Sequence, residues 1–293
     1  VQAFKVKVSV ELHPAVSRSI ERTLHFGRRY FKVCPEYFTV KVPLTPEGYL
    51  AVRTLRQEKV PINFTLGFSV RQNYLAARLA NPDFVNVFLG RLNQVVMDHD
   101  AGTGELVGEK VTLATQRALQ SARANHQEVS SRLIAASIRN GEQVAFLAGL
   151  DVLTIPPKAM KEYQESGISS VVSHIDDAIE PGIDSQHSLA KRFPELWELS
   201  DDFKSFVDDL VAKPDLDSIQ GNELADMARE RSVNLFHPFS EDDLNKIQKH
   251  GKIPDLNAWP ESVALDDLMT QSALQSFTKD QNALDERIRS FLN

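Results

Sequence analysis

Two hydrophobic periods take turns along the first half of the chain. Phe4–Leu12 (FKVKVSVEL) alternates strictly between apolar and polar positions. Phe38–Leu44 (FTVKVPL) places Phe38, Val40, Val42 and Leu44 on one phase and Thr39, Lys41 and Pro43 on the other. Val60–Phe68, Phe84–Gly90, Arg132–Ser137 and Asp151–Pro157 complete six strand candidates. Between them, spacings of three and four predict helices over Ala15–Tyr30, Pro46–Glu58, from Ser69 to about Asn81–Pro82, over Leu113–Val129 and, shorter, over Gly141–Ala148. Thr45 and Pro46 read as the N-cap and first residue of the second helix. Strands separated by helices in this rhythm predict parallel βα units.

After Pro157 the pattern changes. Residues 158–262 are more polar and acidic, with Gly–Pro punctuation in EPGIDS, KPDLDS and HGKIPDL, and read as helices joined by loops. FSEDDL (Phe239–Leu244) reads as a capped helix start. The last element is a long helix from Leu265 to Leu292, with Leu268, Leu274, Phe277, Leu284, Ile288 and Phe291 as its apolar residues. The expected organisation is therefore a strand–helix domain over 1–157, a helical extension over 158–262 and a terminal helix over 263–293 packing on the first part.

Bulk properties narrow the function classes. The 293 residues are 42% apolar and 25% charged, ordinary for a globular protein. A net charge of −7 provides no basic footprint for nucleic acid. No apolar run approaches the ~20 residues of a membrane helix, so no membrane partner is expected. The single cysteine, Cys34, rules out an internal disulfide and suits a reducing, cytoplasmic setting. It has no sequence-adjacent base to activate it.

The chemistry lies on the polar phase of the strands. Ser9 and Glu11, Thr39 and Lys41, Asn63 and Thr65, and Asn86 with Phe88 in the same phase recur at strand ends, with Arg91, Ser137 and Arg139 at or just beyond them. Buried strands carry polar side chains where a polar cavity or a partner receives them, and repetition over five strands predicts one shared cavity. A lysine there has a specific use. Its amine attacks a carbonyl only when unprotonated, and apolar surroundings with nearby cations lower a lysine pKa from about 10.4 toward neutrality. Glu11 is placed to move protons directly or through a water. Arg91 and Arg139 suit bidentate capture of a phosphate. Met97–Glu105 (MDHDAGTGE) has metal-ligand residue types but no supporting motif. His13, just past Glu11, reads as a surface or loop-packing residue.

VKVPLTPEG, INFTLGFS, FLGRLN, SIRNGEQV…LAGLDVLTIPP and SFTKDQNALDERIRSFL, in this order, resemble the transaldolase family over about residues 6–160 and the C-terminal helix. The resemblance implies an α/β fold of the (β/α)8 TIM-barrel type, of which six βα strands stand in this chain as the third to eighth. It also implies a class I aldolase mechanism with no cofactor and no metal. The reaction implied is transfer of a dihydroxyacetone unit between sugar phosphates, with sedoheptulose 7-phosphate or fructose 6-phosphate as donor and an aldose phosphate as acceptor. By motif, Lys41 matches the Schiff-base lysine, Glu11 the glutamate that works through a water, and Thr65 the threonine that holds that water. Asn63, Asn86, Phe88, Arg91, Ser137 and Arg139 match the substrate-binding set, with the two arginines on the phosphate. Asn86 departs from the serine usual there, which implies an altered substrate preference. The resemblance also implies two strands ahead of the one ending at Glu11, bearing an aspartate acid/base and an asparagine. Neither is found in this sequence, which begins with Val1 rather than Met: the expectation is either a fragment whose missing residues lie upstream or a barrel that lacks two strands. Alternative expectations are a fructose-6-phosphate aldolase-like lyase and a silent phosphosugar-binding protein. A homodimer is allowed for.

Overall fold

The computed structural model describes residues 6–292 and divides into two compact units, Val1–Leu66 with Pro214–Asn293, and Gly67–Lys213. The first unit opens with β1 (Val8–Glu11), α1 (Ile20–Val33), β2 (Phe38–Pro43), α2 (Pro46–Gln57) and β3 (Ile62–Thr65). Of the strand expected from Phe4, residues 4 and 5 lie outside the described residues. The three strands are parallel, with Val10 beside Val40 and Glu11 beside Lys41, and then Val40 beside Ile62 and Lys41 beside Asn63. Val40, Val42, Ile62 and Phe64 form the fully buried apolar phase. This leaves the phase of Glu11, Lys41 and Asn63 to line the other face.

Local signals explain the helices. α1 starts later than its periodicity predicts, because Pro14–Val16 folds as a separate 3-10 turn and Ser19 then caps the helix by accepting from the Arg22 amide. α2 follows expectation: Thr45 accepts from the Gly48 amide, and Pro46 occupies the first turn. Gly48 allows α2 to fold back on its strand, since a Cβ there would lie 2.3 Å from the Pro43 carbonyl oxygen.

The second unit contains α3 (Val70–Leu79), β4 (Phe84–Phe88), α4 (Leu89–Asp98), α5 (Val107–Asn125), β5 (Arg132–Ala136), α6 (Gly141–Phe146), β6 (Val152–Leu153), α7 (Pro157–Glu165) and α8 (Asp201–Val211). Here β4, β5 and β6 are parallel, and α8 packs on α3. Two elements depart from the sequence reading. α4 begins within residues expected as the end of a strand and continues where no element was expected, because Leu89, Leu92, Val95 and Val96 make a fully buried helical stripe. α5 begins at Val107 rather than Leu113, because Val107 and Val111 extend the buried face.

The chain then returns to the first unit with α9 (Gly221–Glu230) on α2, α10 (Glu241–His250) and α11 (Leu265–Arg289). Ser240 and Asp243 cap α10 reciprocally, as FSEDDL predicts. α11 packs on α10 and on the Pro14–Val16 turn. Its first half is buried, whereas Leu284 and Ile288 are each 50% exposed. Altogether the chain has an α/β fold in which parallel strands alternate with helices in each unit, the alternation expected of a TIM-type barrel. Among the described residues no helix is long and apolar enough to cross a membrane.

Candidate active site

In the first unit the register places Glu11, Lys41 and Asn63 in one row across β1, β2 and β3. Lys41 Nζ donates to Glu11 Oε2 at 3.1 Å and lies 5.5 Å from the Phe277 ring centroid on α11. Both members of the pair are only partly exposed, at 20% and 33% of the side chain. Glu11 Oε1 is buried without a hydrogen-bond partner among the described residues. Asn63 Nδ2 donates to Ser9 Oγ at 3.1 Å. Thr65, on the same phase of β3 and beside Pro43, is fully buried, and its Oγ1 meets no partner among the described residues. A cavity of about 310 Å³ opens beside Glu11, walled by Pro14 and by Phe277, Asp280, Gln281 and Leu284 of α11.

His13 fixes one wall of this cavity. Its Nδ1 accepts from the Ala15 amide at 3.1 Å, so Nε2 carries the proton and faces Asp285 Oδ2 at 3.1 Å. Hydrogen bonds from Gln281 and then from His13 hold the Asp285 carboxyl below the usual aspartate range. The loop-packing role expected of His13 takes the form of a clasp on α11.

The second unit gathers the other candidates at the end of β4 and the turn after β5. Asn86 is buried in β4, and its carbonyl accepts from Asn73 Nδ2 at 3.2 Å. Phe88 is the N-cap residue of α4 and supplies no side-chain cap. The Arg91 guanidinium, in that same turn and largely buried, lies 5.9 Å from the Phe88 ring centroid. Ser137 adopts a left-handed backbone with φ of 68°, which turns the chain back over α4. Arg139 then crosses Gly90: a Cβ at Gly90 would lie 2.3 Å from the Ser137 carbonyl oxygen and 2.6 Å from Arg139 Nε. Arg91 and Arg139 thus stand at the N-terminus of α4, two cations beside the positive end of a helix dipole.

Chemically, the first unit provides an amine next to a carboxylate with a spare oxygen and a neighbouring unsatisfied hydroxyl. The second provides two guanidinium groups at the start of α4. Sequence reasoning missed a buried network behind Arg139, Asn93, Glu109 and Gln143 together. Its only signal in the sequence is an acidic residue in the first turn of α5.

A family model described as Transaldolase/Fructose-6-phosphate aldolase matches residues 2–213. A protein of Exiguobacterium sibiricum named probable transaldolase is 35% identical over 153 residues, which is 52% of this chain and 62% of that protein. One of Thermus thermophilus with the same name is 34% identical over 147 residues, or 50% of this chain and 59% of its own length. Another in Dictyostelium discoideum is 27% identical over 226 residues, covering 70% of this chain and 68% of the relative. The chain spans about six-tenths of the length of the first two relatives.

Proposed function

Because the chain belongs to the transaldolase/fructose-6-phosphate aldolase family, we propose that it acts on phosphorylated sugars through a Schiff base on Lys41, in the transaldolase manner. The observation that carries this reading is the Lys41–Glu11 contact of 3.1 Å beside the unsatisfied Thr65 hydroxyl. Imine formation needs an amine that gives up its protons and a group that removes water from the carbinolamine. Glu11 is in place to receive the proton Lys41 loses. A water between Glu11 Oε1 and Thr65 Oγ1 would satisfy both atoms and relay that proton to the departing hydroxyl.

Once the imine forms, its cationic nitrogen accepts the electron pair of the breaking C–C bond. An aldose phosphate leaves, and an enamine of the dihydroxyacetone unit stays on Lys41. Attack of that enamine on an acceptor aldose, followed by hydrolysis of the imine, completes the transfer. The base that removes the substrate hydroxyl proton during cleavage belongs, by the resemblance, to an aspartate that this sequence does not contain. By the family resemblance, the phosphate falls to Arg91 and Arg139, and the carbon chain to Asn63, Asn86, Phe88 and Ser137.

The test is a reductive trap. Incubation with fructose 6-phosphate and borohydride is expected to reduce the imine to a stable secondary amine, mapped to Lys41 by peptide mass spectrometry. Lys41→Ala should form no adduct and still bind fructose 6-phosphate. An adduct of equal yield in Lys41→Ala sinks the assignment. Product analysis with and without an aldose phosphate acceptor separates transfer from release of free dihydroxyacetone.

A further inference from the structure

Behind Arg139 lies a carboxylate that the proposed chemistry does not use. Glu109 stands in the first turn of α5 and is only 3% exposed. Gln143 Nε2 donates to its Oε1 at 2.7 Å, and Asn93 Nδ2 donates to its Oε2 at 3.0 Å. The opposite ends of the two amides are also engaged. Gln143 Oε1 accepts from the backbone N–H of Arg139 at 2.7 Å, and Asn93 Oδ1 accepts from the backbone N–H of Gly108 at 2.6 Å. Gln143 also receives a cap from below, since its own N–H donates to Asn140 Oδ1 at 2.9 Å.

The polarity of this chain is fixed from both sides, by Glu109 at its centre and by the Arg139 and Gly108 N–H groups at its ends. An ionised carboxylate only accepts, whereas a carboxamide has one accepting and one donating end. With Glu109 at the centre, Gln143 must turn its NH2 inward, which aims its oxygen at the Arg139 amide. Asn93 must likewise turn its NH2 inward and its oxygen toward Gly108. The Arg139 backbone is thereby fixed immediately after the left-handed Ser137 turn, where its side chain crosses Gly90.

We infer that Glu109 is a positioning residue for the proposed anion corner: through Gln143 it holds the Arg139 backbone so that the guanidinium lies over the N-terminus of α4. The inference rests on the proposal that Arg139 binds the substrate phosphate. It has a specific consequence for substitution. In Glu109→Gln, the new amide must present its NH2 to either Gln143 or Asn93. The residue receiving it must flip, and two donors then face each other, at Arg139 in one case and at Gly108 in the other. The double variant Glu109→Gln/Gln143→Glu has no such conflict. The amide introduced at position 109 accepts from Asn93 and donates to the new carboxylate at position 143, whose second oxygen still accepts from Arg139.

The experiment measures dissociation constants for fructose 6-phosphate and fructose by calorimetry, with thermal melts of the unliganded proteins. The wild type is expected to bind the phosphate ester more tightly. Glu109→Gln should weaken binding of fructose 6-phosphate by about tenfold, as a conflicted buried hydrogen bond implies, with fructose unaffected. The double variant should return to within about threefold of wild type. Normal binding by Glu109→Gln, or equal weakening for both sugars, overturns the inference. So does a double variant that folds without rescue, or loss of folding in both variants, which would make the network a purely structural one. The phosphate reading fails separately, if Arg139→Ala binds fructose 6-phosphate like wild type or if wild type does not discriminate between the two sugars.

Discussion

Thr65 has a hydroxyl whose absence the fold would tolerate. It is fully buried and meets no protein partner among the described residues, so its removal breaks no hydrogen bond within the protein. Valine has the same shape without that group. Thr65→Val is therefore expected to melt at the same temperature as wild type or higher, while imine trapping with fructose 6-phosphate slows by roughly 10²-fold through loss of the relay. Trapping should thus slow with no loss of melting temperature, and an unchanged trapping rate would remove Thr65 from the mechanism. Gly90→Ala tests the other unit. Its Cβ would lie 2.3 Å from the Ser137 carbonyl oxygen and 2.6 Å from Arg139 Nε, so a loss of about 1–3 kcal/mol in urea unfolding is expected, together with weaker binding of fructose 6-phosphate. The row Glu11–Lys41–Asn63 is legible in the sequence because side chains alternate along a strand with a fixed period of two. Glu109 is not, because its partners stand 16 and 34 residues away in sequence and no local period links them.

At the scale of elements, explicit end signals decide what can be read. α2 is legible to within one residue because Thr45, Pro46 and Gly48 specify its start together. The Thr45 hydroxyl also donates to the Ser17 carbonyl at 2.6 Å, which ties α2 to the turn ahead of α1. Thr45→Ala is expected to lower the urea midpoint by the equivalent of about 1–2 kcal/mol, and Thr45→Ser, which keeps both bonds, by much less. Equal losses in the two variants would place the effect in the methyl group rather than the cap. α4 escapes the sequence reading because Phe88 gives it no side-chain cap and β4 runs straight into it. The proposed anion corner stands at that same strand-to-helix junction, beside Arg91 and Arg139. α1 is misplaced at its start because Pro14–Val16 forms its own turn, against which α11 packs.

At the scale of the whole molecule, the family match ends at residue 213, and the residues beyond it fold back onto the unit that carries Lys41. α9 covers α2, and α11 covers the turn after Glu11. This return makes the first unit sensitive to pH through His237. Its ring is partly buried against Phe239 and Trp259, with centroids at 4.7 and 6.3 Å. Burial pushes its pKa below the ordinary value of about 6.5, against a smaller opposing pull from Asp243 at 3.9 Å. The folded protein therefore resists protonation at a site the unfolded chain protonates readily. That contribution to stability is complete above about pH 6.5 and is lost as pH falls through the lower folded value. Asp285, held low by Gln281 and His13, acts in a separate window, because its contribution is lost only below the ordinary aspartate range near pH 4. Melting temperature should consequently fall between pH 7.5 and 5, with Trp259 fluorescence following the same transition. His237→Gln should flatten that slope while leaving imine trapping at Lys41 intact at pH 7.5. A slope unchanged by the substitution would assign the pH dependence to other groups.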